Sequence, residues 1–303
     1  LRRQRQLCIR DCYYFMGGLP RSGSTLLSTI LNQNPRFYSG PSSPVLSAMF
    51  SAHDNFMGNE LYHGYPKPYQ VNEIVGSIIG HWYSDVDKPV IIDKNRAWPS
   101  NISYIEGYLH IEPKIIVPVR RVDEILTSIL KMIHRNPFKE GQSRINFVDE
   151  FLVKNNTPIN DEERCNHLLN PSGIVYESLN AIMDGFKDQK RDKFHFIDYN
   201  DLVNDPQKEL DSIYDFLGEE SFEHSFDDLS NQYREDDLNT YGLTDMHEVR
   251  SDIVKTSDHP SNVLPPSIID LYNRNRQNLE FWTEPEVVKI NPPKAPTSYN
   301  IFS

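Results

Sequence analysis

Short apolar runs alternate along the chain with longer stretches in which apolar residues recur every three or four positions, the pattern of strands interleaved with helices. Tyr13–Met16 reads as a buried strand, and Thr25–Asn32 as a helix that ends before Pro35. Phe37–Ser39, Val90–Ile92, Lys114–Val119 and Phe194–Ile197 are further short strands. Val71, Ile74, Val75, Ile78 and Ile79 share one helical face and predict a helix over 71–83; Val175, Leu179, Ile182, Met183 and Phe186 predict a core-facing helix over 174–186. The sharpest helix signal lies at 206–217, where Asp205 is a capping residue, Pro206 takes the first turn, Leu210, Ile213, Tyr214 and Leu217 form the stripe, and Gly218 closes it. A last helix is expected over 268–282. This order predicts an α/β fold, a three-layer sandwich with a central parallel sheet of about four to five strands flanked by helices.

Two regions interrupt the alternation. Residues 135–170 are polar, an insertion suited to a lid or a substrate-facing wall, and 222–260 form an acidic late loop or flap short of periodicity. We expect one α/β domain over 1–283 and a proline-containing tail over 284–303 that packs on the surface or on a partner.

Composition narrows the function. With 303 residues and 38% apolar content the chain builds a full core. A formal charge of −12, from 31 basic and 43 acidic residues, argues against a nucleic-acid surface, so any anionic ligand has to be held by a local arrangement. Cys8, Cys12 and Cys165 are too few and odd in number for a disulfide framework, and they lack zinc spacing, which points to a reducing, cytoplasmic setting without a metal. Apolar runs stop short of the roughly 18 residues of a membrane span. The chain begins at Leu1 rather than methionine, which leaves a removed leading segment open, as it does a homo-oligomer.

The chemistry starts in "GLPRSGST", Gly18–Thr25. Two glycines five apart and a terminal hydroxyl nearly fit G-x-x-x-x-G-K-[ST], but Ser24 stands where a nucleoside triphosphatase keeps its lysine. Backbone N–H groups of such a loop converge on phosphate oxygens, and the helix behind it adds a positive end. Arg21, Ser22, Gly23, Ser24 and Thr25 are therefore candidate phosphate-holding residues, with a forked guanidinium in place of the lysine. A 5′-phosphorylated nucleotide fits, and the group transferred need not be phosphoryl. A P-loop kinase with Asp93 as magnesium ligand and a non-catalytic nucleotide-binding module are the alternatives.

The longer string "FMGGLPRSGSTLLSTILNQNP", Phe15–Pro35, closely resembles the 5′-phosphosulfate loop of sulfotransferases that use 3′-phosphoadenylyl sulfate (PAPS), above all the protein-tyrosine sulfotransferases and a related bacterial and phage group. The resemblance extends over about Phe15–Lys255 and implies a P-loop-type fold with the nucleotide at the carboxyl edge of the sheet. In "VPVRRVDEILTSIL", Arg120 and Ser128 resemble the pair that binds the 3′-phosphate; a strand-end guanidinium and a hydroxyl in the next helix can reach one phosphate. Lys94 in "VIIDKNRAW" stands where the family has a lysine that donates to the bridging oxygen as sulfate leaves. Tyr199 resembles the strand-end tyrosine near the nucleotide, and Arg250, Ser251 and Lys255 resemble the segment that closes over it.

One departure concerns the general base. Where tyrosine sulfotransferases carry a glutamate, this chain has Ser42, and a hydroxyl does not accept a proton at neutral pH. His247 is the first candidate base, with His53 and Asp93 in reserve. Ser42 and Ser43 either orient the acceptor or shape the turn before the helix at Val45. The resemblance implies transfer of a sulfuryl group from PAPS to a hydroxyl, or an amine, of a small molecule or peptide, leaving adenosine 3′,5′-bisphosphate (PAP), with no metal.

Overall fold

The computed structural model describes residues 12–139, 144–187, 191–233, 235–253 and 258–283. Five parallel strands, β1 (Cys12–Met16), β2 (Phe37–Ser42), β3 (Val90–Lys94), β4 (Ile115–Val119) and β5 (Phe194–Asp198), form one sheet in the order β2-β3-β1-β4-β5. All five are the strands that the apolar runs predict: β1 starts one residue earlier, β4 one residue later, and β2, β3 and β5 run three, two and one residues further at the carboxyl end.

Described residues fall into two compact units, made from Leu1–Val119, Asn180–Glu235 and His247–Lys255 in one case and Arg120–Leu179, Asp236–Met246 and Thr256–Ser303 in the other. The sheet belongs to the first. Side chains alternate across it, so Tyr14, Met16, Val90, Ile92 and Ile116 meet Leu27, Ile30 and Leu31 of helix α1 (Ser24–Leu31) on one face. On the other, Phe15 packs against the fully buried Trp98 at 4.4 Å between ring centroids. The helix Pro206–Leu217 buries Leu210, Ile213, Tyr214 and Leu217 as its stripe predicts and ends on Gly218 at φ 76. Asp205 stands at its start but makes no side-chain cap bond, and Pro206 takes the first turn as predicted.

In the second unit the helix Val122–Arg135 buries one face, carries Asp123 and Glu124 in its first turn and His134 and Arg135 in its last, each sign matched to the helix dipole. The buried Glu280 accepts from the Val122 N–H at 3.1 Å and from the Tyr272 hydroxyl at 2.6 Å, closing that helix start. The polar insertion expected at 135–170 contains two helices, Phe147–Lys154 and Asp161–Leu168. Asn146 and Asn160 cap them, and Arg164 binds Asp149 through two hydrogen bonds of 2.7 and 2.8 Å. Capping and ion pairs build helices there without the apolar stripe that would announce them. The late region 222–260 is largely irregular, as its composition predicts, with one short helix at Asp237–Tyr241. Among the described residues no helix is long and apolar enough to cross a membrane. The tail 284–303 lies outside the described residues.

His224 gives this fold a pH dependence. It is buried beside Tyr214, whose hydroxyl lies 3.0 Å from its Nε2, and burial pulls the imidazole down to about 4 against the opposing pull of the Ile30 carbonyl and Asp211. The unfolded chain, with an ordinary imidazole near 6.5, binds the extra proton in between, so stability drops as pH falls from about 6.5 to about 4. Urea titrations at pH 7 and pH 5 check this: His224→Gln is expected to lose less stability than the wild type across that interval, and equal losses would remove His224 from the account.

Candidate active site

The carboxyl ends of the central strands are level. Met16 pairs with Lys94 between β1 and β3, and Ser42 pairs with Lys94 between β2 and β3 after a bulge, so the phosphate-loop entrance, Lys94 and Ser42 stand in one row. The loop after β1 is drawn against β4, where the Leu19 N–H donates to the Pro118 carbonyl at 2.9 Å. Gly18 permits that approach: a Cβ there would lie 2.1 Å from the same carbonyl oxygen.

Arg21 and Gly23 are both left-handed, at φ 58 and φ 86, and Gly23 is the residue from which α1 starts. No side chain caps that start and no acidic residue lies in its first turn. Among the described residues the N–H groups of Ser22, Gly23, Ser24 and Thr25 find no hydrogen-bond acceptor. Donors aimed out of a left-handed turn into the positive end of a helix form an anion cradle. The Ser22 hydroxyl is turned inward and donates to the Leu19 carbonyl at 2.6 Å, so Ser22 offers a ligand its N–H alone. Tyr199, the first residue of the short helix after β5, packs on Gly23; a Cβ at that glycine would meet its ring at 2.8 Å.

Beside the cradle opens a cleft lined by Thr25, Ser28, Ser39, Gly40, Pro41, Lys94, Asn231, Tyr233 and Glu235. Ser39 and Ser28 are joined by their hydroxyls at 2.9 Å, fixing α1 to β2 along its floor. Lys94 is only 6% exposed, and its ammonium forms no hydrogen bond with a described residue. Burial pulls it below the usual lysine range and Arg96 adds to this, while Glu235 opposes. A desolvated cation on the rim of an amide cradle is a site for a multiply charged anion.

Behind Lys94, on the opposite face of β3, lies Asp93. Fully buried, its carboxylate accepts from the Ser43 hydroxyl at 2.5 Å, the Trp98 indole at 2.6 Å and the Tyr83 hydroxyl at 2.7 Å. Burial raises its pKa and the three donors oppose that rise. With its lone pairs so engaged Asp93 is neither a magnesium ligand nor an acceptor's base, which removes both the kinase reading's metal ligand and one reserve base. Ser43 is committed likewise: its hydroxyl serves Asp93, so it shapes the turn rather than orienting an acceptor. Asn95 ties the same corner together, its N–H donating to the Met16 carbonyl at 2.9 Å and its side-chain amide to the Ser43 carbonyl at 3.0 Å.

The family model described as "Sulfotransferase family" matches residues 14–224, well over half of the chain. The chain belongs to the sulfotransferase family. No relative among curated proteins matches it. Solved structures similar to this sulfotransferase include a mouse sulfotransferase, SULT7A1, complexed with PAP, at 14% identity over 88% of this chain and 83% of that one with a TM-score of 0.47. The sulfotransferase domain of the Synechococcus PCC 7002 olefin synthase is 20% identical over 86% and 82% with a TM-score of 0.43, and that of the curacin biosynthetic pathway 16% identical over 70% and 75% with 0.44.

The other sequence-predicted residues of this sulfotransferase are placed unevenly. His247 pairs with Glu235, Nδ1 to Oε2 at 3.2 Å, next to the cleft but not on its lining. His53 is half-buried on another surface, where it meets Asp54 at 3.0 Å and the rings of Tyr104 and Tyr108. Ser42 is exposed at the end of β2. Arg250 and Ser251 are exposed and do not line the cleft; the Ser251 carbonyl instead accepts from the Leu229 N–H at 2.7 Å, fastening the late segment to itself. Lys255 lies outside the described residues. In the second unit Arg120 follows β4 directly and its Nε donates to Glu124 at 2.9 Å, while Ser128 lies one further turn along the same helix face. Sequence reading missed Asn231, Tyr233 and Glu235, which sit in an acidic, aperiodic run without a motif.

Trp98 is the least replaceable donor to Asp93 because its N–H has no other role. Trp98→Phe is expected to cost about 1–3 kcal/mol by leaving a buried carboxylate oxygen without its partner. Urea unfolding measures it, and a midpoint equal to the wild type's would show that the indole bond adds nothing.

Proposed function

We propose that this sulfotransferase takes its sulfuryl group from PAPS and passes it to a hydroxyl, or an amine, of a small molecule or peptide. The observation that carries this is the set of amides at Ser22–Thr25 with no acceptor among the described residues, beside a cleft that Thr25 and a desolvated Lys94 both line, in a loop lacking the lysine of a triphosphatase. PAPS supplies an activated sulfate on a phosphate leaving group; everything else is the work of the chain.

The loop amides with Arg21, Ser24 and Thr25 hold the 5′-phosphosulfate, and Tyr199 backs the loop at Gly23. Lys94 donates to the bridging oxygen, an interaction that strengthens as charge develops there and therefore lowers the barrier more than it tightens binding. Arg120 and Ser128 hold the 3′-phosphate. The phosphate then shares the guanidinium with Glu124 or displaces that carboxylate. The acceptor's proton falls to the late segment, where His247 and Glu235 are paired. Arg250, Ser251 and Lys255 belong to the cover of the nucleotide. Cys12 and Cys165, both free thiols, suit a reducing, cytoplasmic setting.

Calorimetry with PAP, and separately with ATP and magnesium, tests the donor. PAP is expected to bind and ATP with magnesium to bind weakly; tight ATP binding without affinity for PAP would overturn the reading. Arg120→Ala is expected to weaken PAP by about 1.5–3 kcal/mol, roughly 10- to 150-fold, the usual worth of hydrogen bonds to a charged group. Lys94→Ala is expected to leave PAP affinity within about threefold while lowering turnover of PAPS by at least about 100-fold, the size of a lost transition-state donor. An unchanged PAP affinity in the first variant, or unchanged turnover in the second, removes that residue from its role.

A further inference from the structure

Taking PAPS as donor in the cleft beside Lys94, we propose that Glu235 is the general base of the transfer and that His247, the base the sequence suggests, is its positioning residue. The cleft lining carries three titratable side chains among the described residues: Lys94, Tyr233 and Glu235. Lys94 is the donor to the leaving oxygen, and burial holds the Tyr233 hydroxyl protonated by raising its pKa, with Asp85 adding to the effect. The remaining polar groups there are the hydroxyls of Thr25, Ser28 and Ser39 and the amide of Asn231, none of which accepts a proton at neutral pH. The carboxylate is what remains.

Its surroundings suit the task. Glu235 is 19% exposed at the side chain, accessible from the cleft yet shielded from bulk water. His247 Nδ1 lies 3.2 Å from one of its oxygens, which leaves the other oxygen to face an acceptor and commits that imidazole nitrogen to the carboxylate. Asn231 ties the two segments together: its side-chain oxygen accepts from the Tyr233 N–H at 3.1 Å and its side-chain amide donates to the His247 carbonyl at 3.1 Å. The titratable and charged groups that act on this corner are His247, Lys94 and, through Lys94, Arg96.

The step balances. An acceptor O–H gives its proton to the Glu235 carboxylate as the oxygen forms a bond to sulfur; the bond from sulfur to the bridging phosphate oxygen breaks, its electron pair leaves with PAP, and Lys94 donates to that oxygen. Glu235 then releases the proton to water. Base and leaving-group donor thus come from separate elements lining one cleft, late segment and strand end.

The test follows release of labelled sulfate, or its transfer, from ³⁵S-labelled PAPS to water and to a pool of small alcohols, phenols and amines, alongside PAP affinity and urea midpoints as a check of folding. Glu235→Gln is expected to lower turnover by about 100-fold or more, the lower range for a general base, with PAP affinity within about threefold of wild type; Glu235→Asp is expected to recover part of the loss. His247→Gln is expected to lower turnover by about 10-fold, chiefly in kcat, and to leave the pH profile without a new limb near 6.5. Glu235→Gln with turnover within threefold of wild type overturns the assignment. So does a wild-type rising limb near pH 6.5 that vanishes in His247→Gln, because the imidazole is then the base. A wild type that binds PAP but releases no sulfate under any of these conditions overturns the catalytic roles. One that fails to bind PAP overturns the donor reading, and this assignment with it.

Discussion

A carboxylate buried with no cation beside it is costly unless every lone pair is answered, and Asp93 meets that condition through donors from three separate segments. Trp98 follows β3 in the chain, Tyr83 comes from the segment before it, and Ser43 from the turn after β2. Because each bond is short and the group is sealed from water, β3 is held at one register against its neighbours, with Met16, Lys94 and Ser42 level at the carboxyl edge. Strand alternation then sends the next side chain, Lys94, to the opposite face, where α1 and the late segment leave a cleft. The position of the site's cation is thus set by an anion that never meets a ligand.

The same economy governs the phosphate loop. A chain with a net charge of −12 repels anions at long range, but solution at physiological salt screens that field over about 8 Å. What acts on a ligand is local: four amides with no acceptor among the described residues, the positive end of a helix with no acidic residue in its first turn, and a desolvated ammonium. Glycine at φ 86 aims the amides, and the ring of Tyr199 takes the space a side chain would need. Dipoles fixed by the fold require no reorganisation when charge shifts during reaction, which is the property a transfer enzyme needs of its binding groups.

Sequence and structure agree most where the physics is local. The five strands are continuous apolar runs, since a parallel sheet is buried on both faces, and the helix Pro206–Leu217 carries its own start and stop residues. The loop is legible because glycine spacing and backbone amides do not depend on distant partners. Agreement fails where a residue's meaning depends on what it meets. The sequence leaves Ser43 between orienting an acceptor and shaping its turn and offers Asp93 as a reserve base, yet the two bind one another in the interior. The helices at 147–154 and 161–168 rest on asparagine caps and an Arg164–Asp149 pair rather than on an apolar stripe, and so look like polar loop.

By itself, then, the order of residues determined the α/β fold, the strand that feeds the loop and the loop's suitability for an anion, because these follow from short-range periodicity and spacing; membership among sulfotransferases rests on likeness to that family, whose model matches residues 14–224. Tertiary structure alone decided which titratable groups line the cleft beside the loop. Glu235 lies 141 residues beyond Lys94 in an acidic run that reads as solvated surface, and only the folding of that run across the cleft, pinned by Asn231 to the His247 segment, brings the two charges into one site. Burial and pairing of charges are properties of neighbours in space, and no pattern along a chain encodes them before the chain is folded.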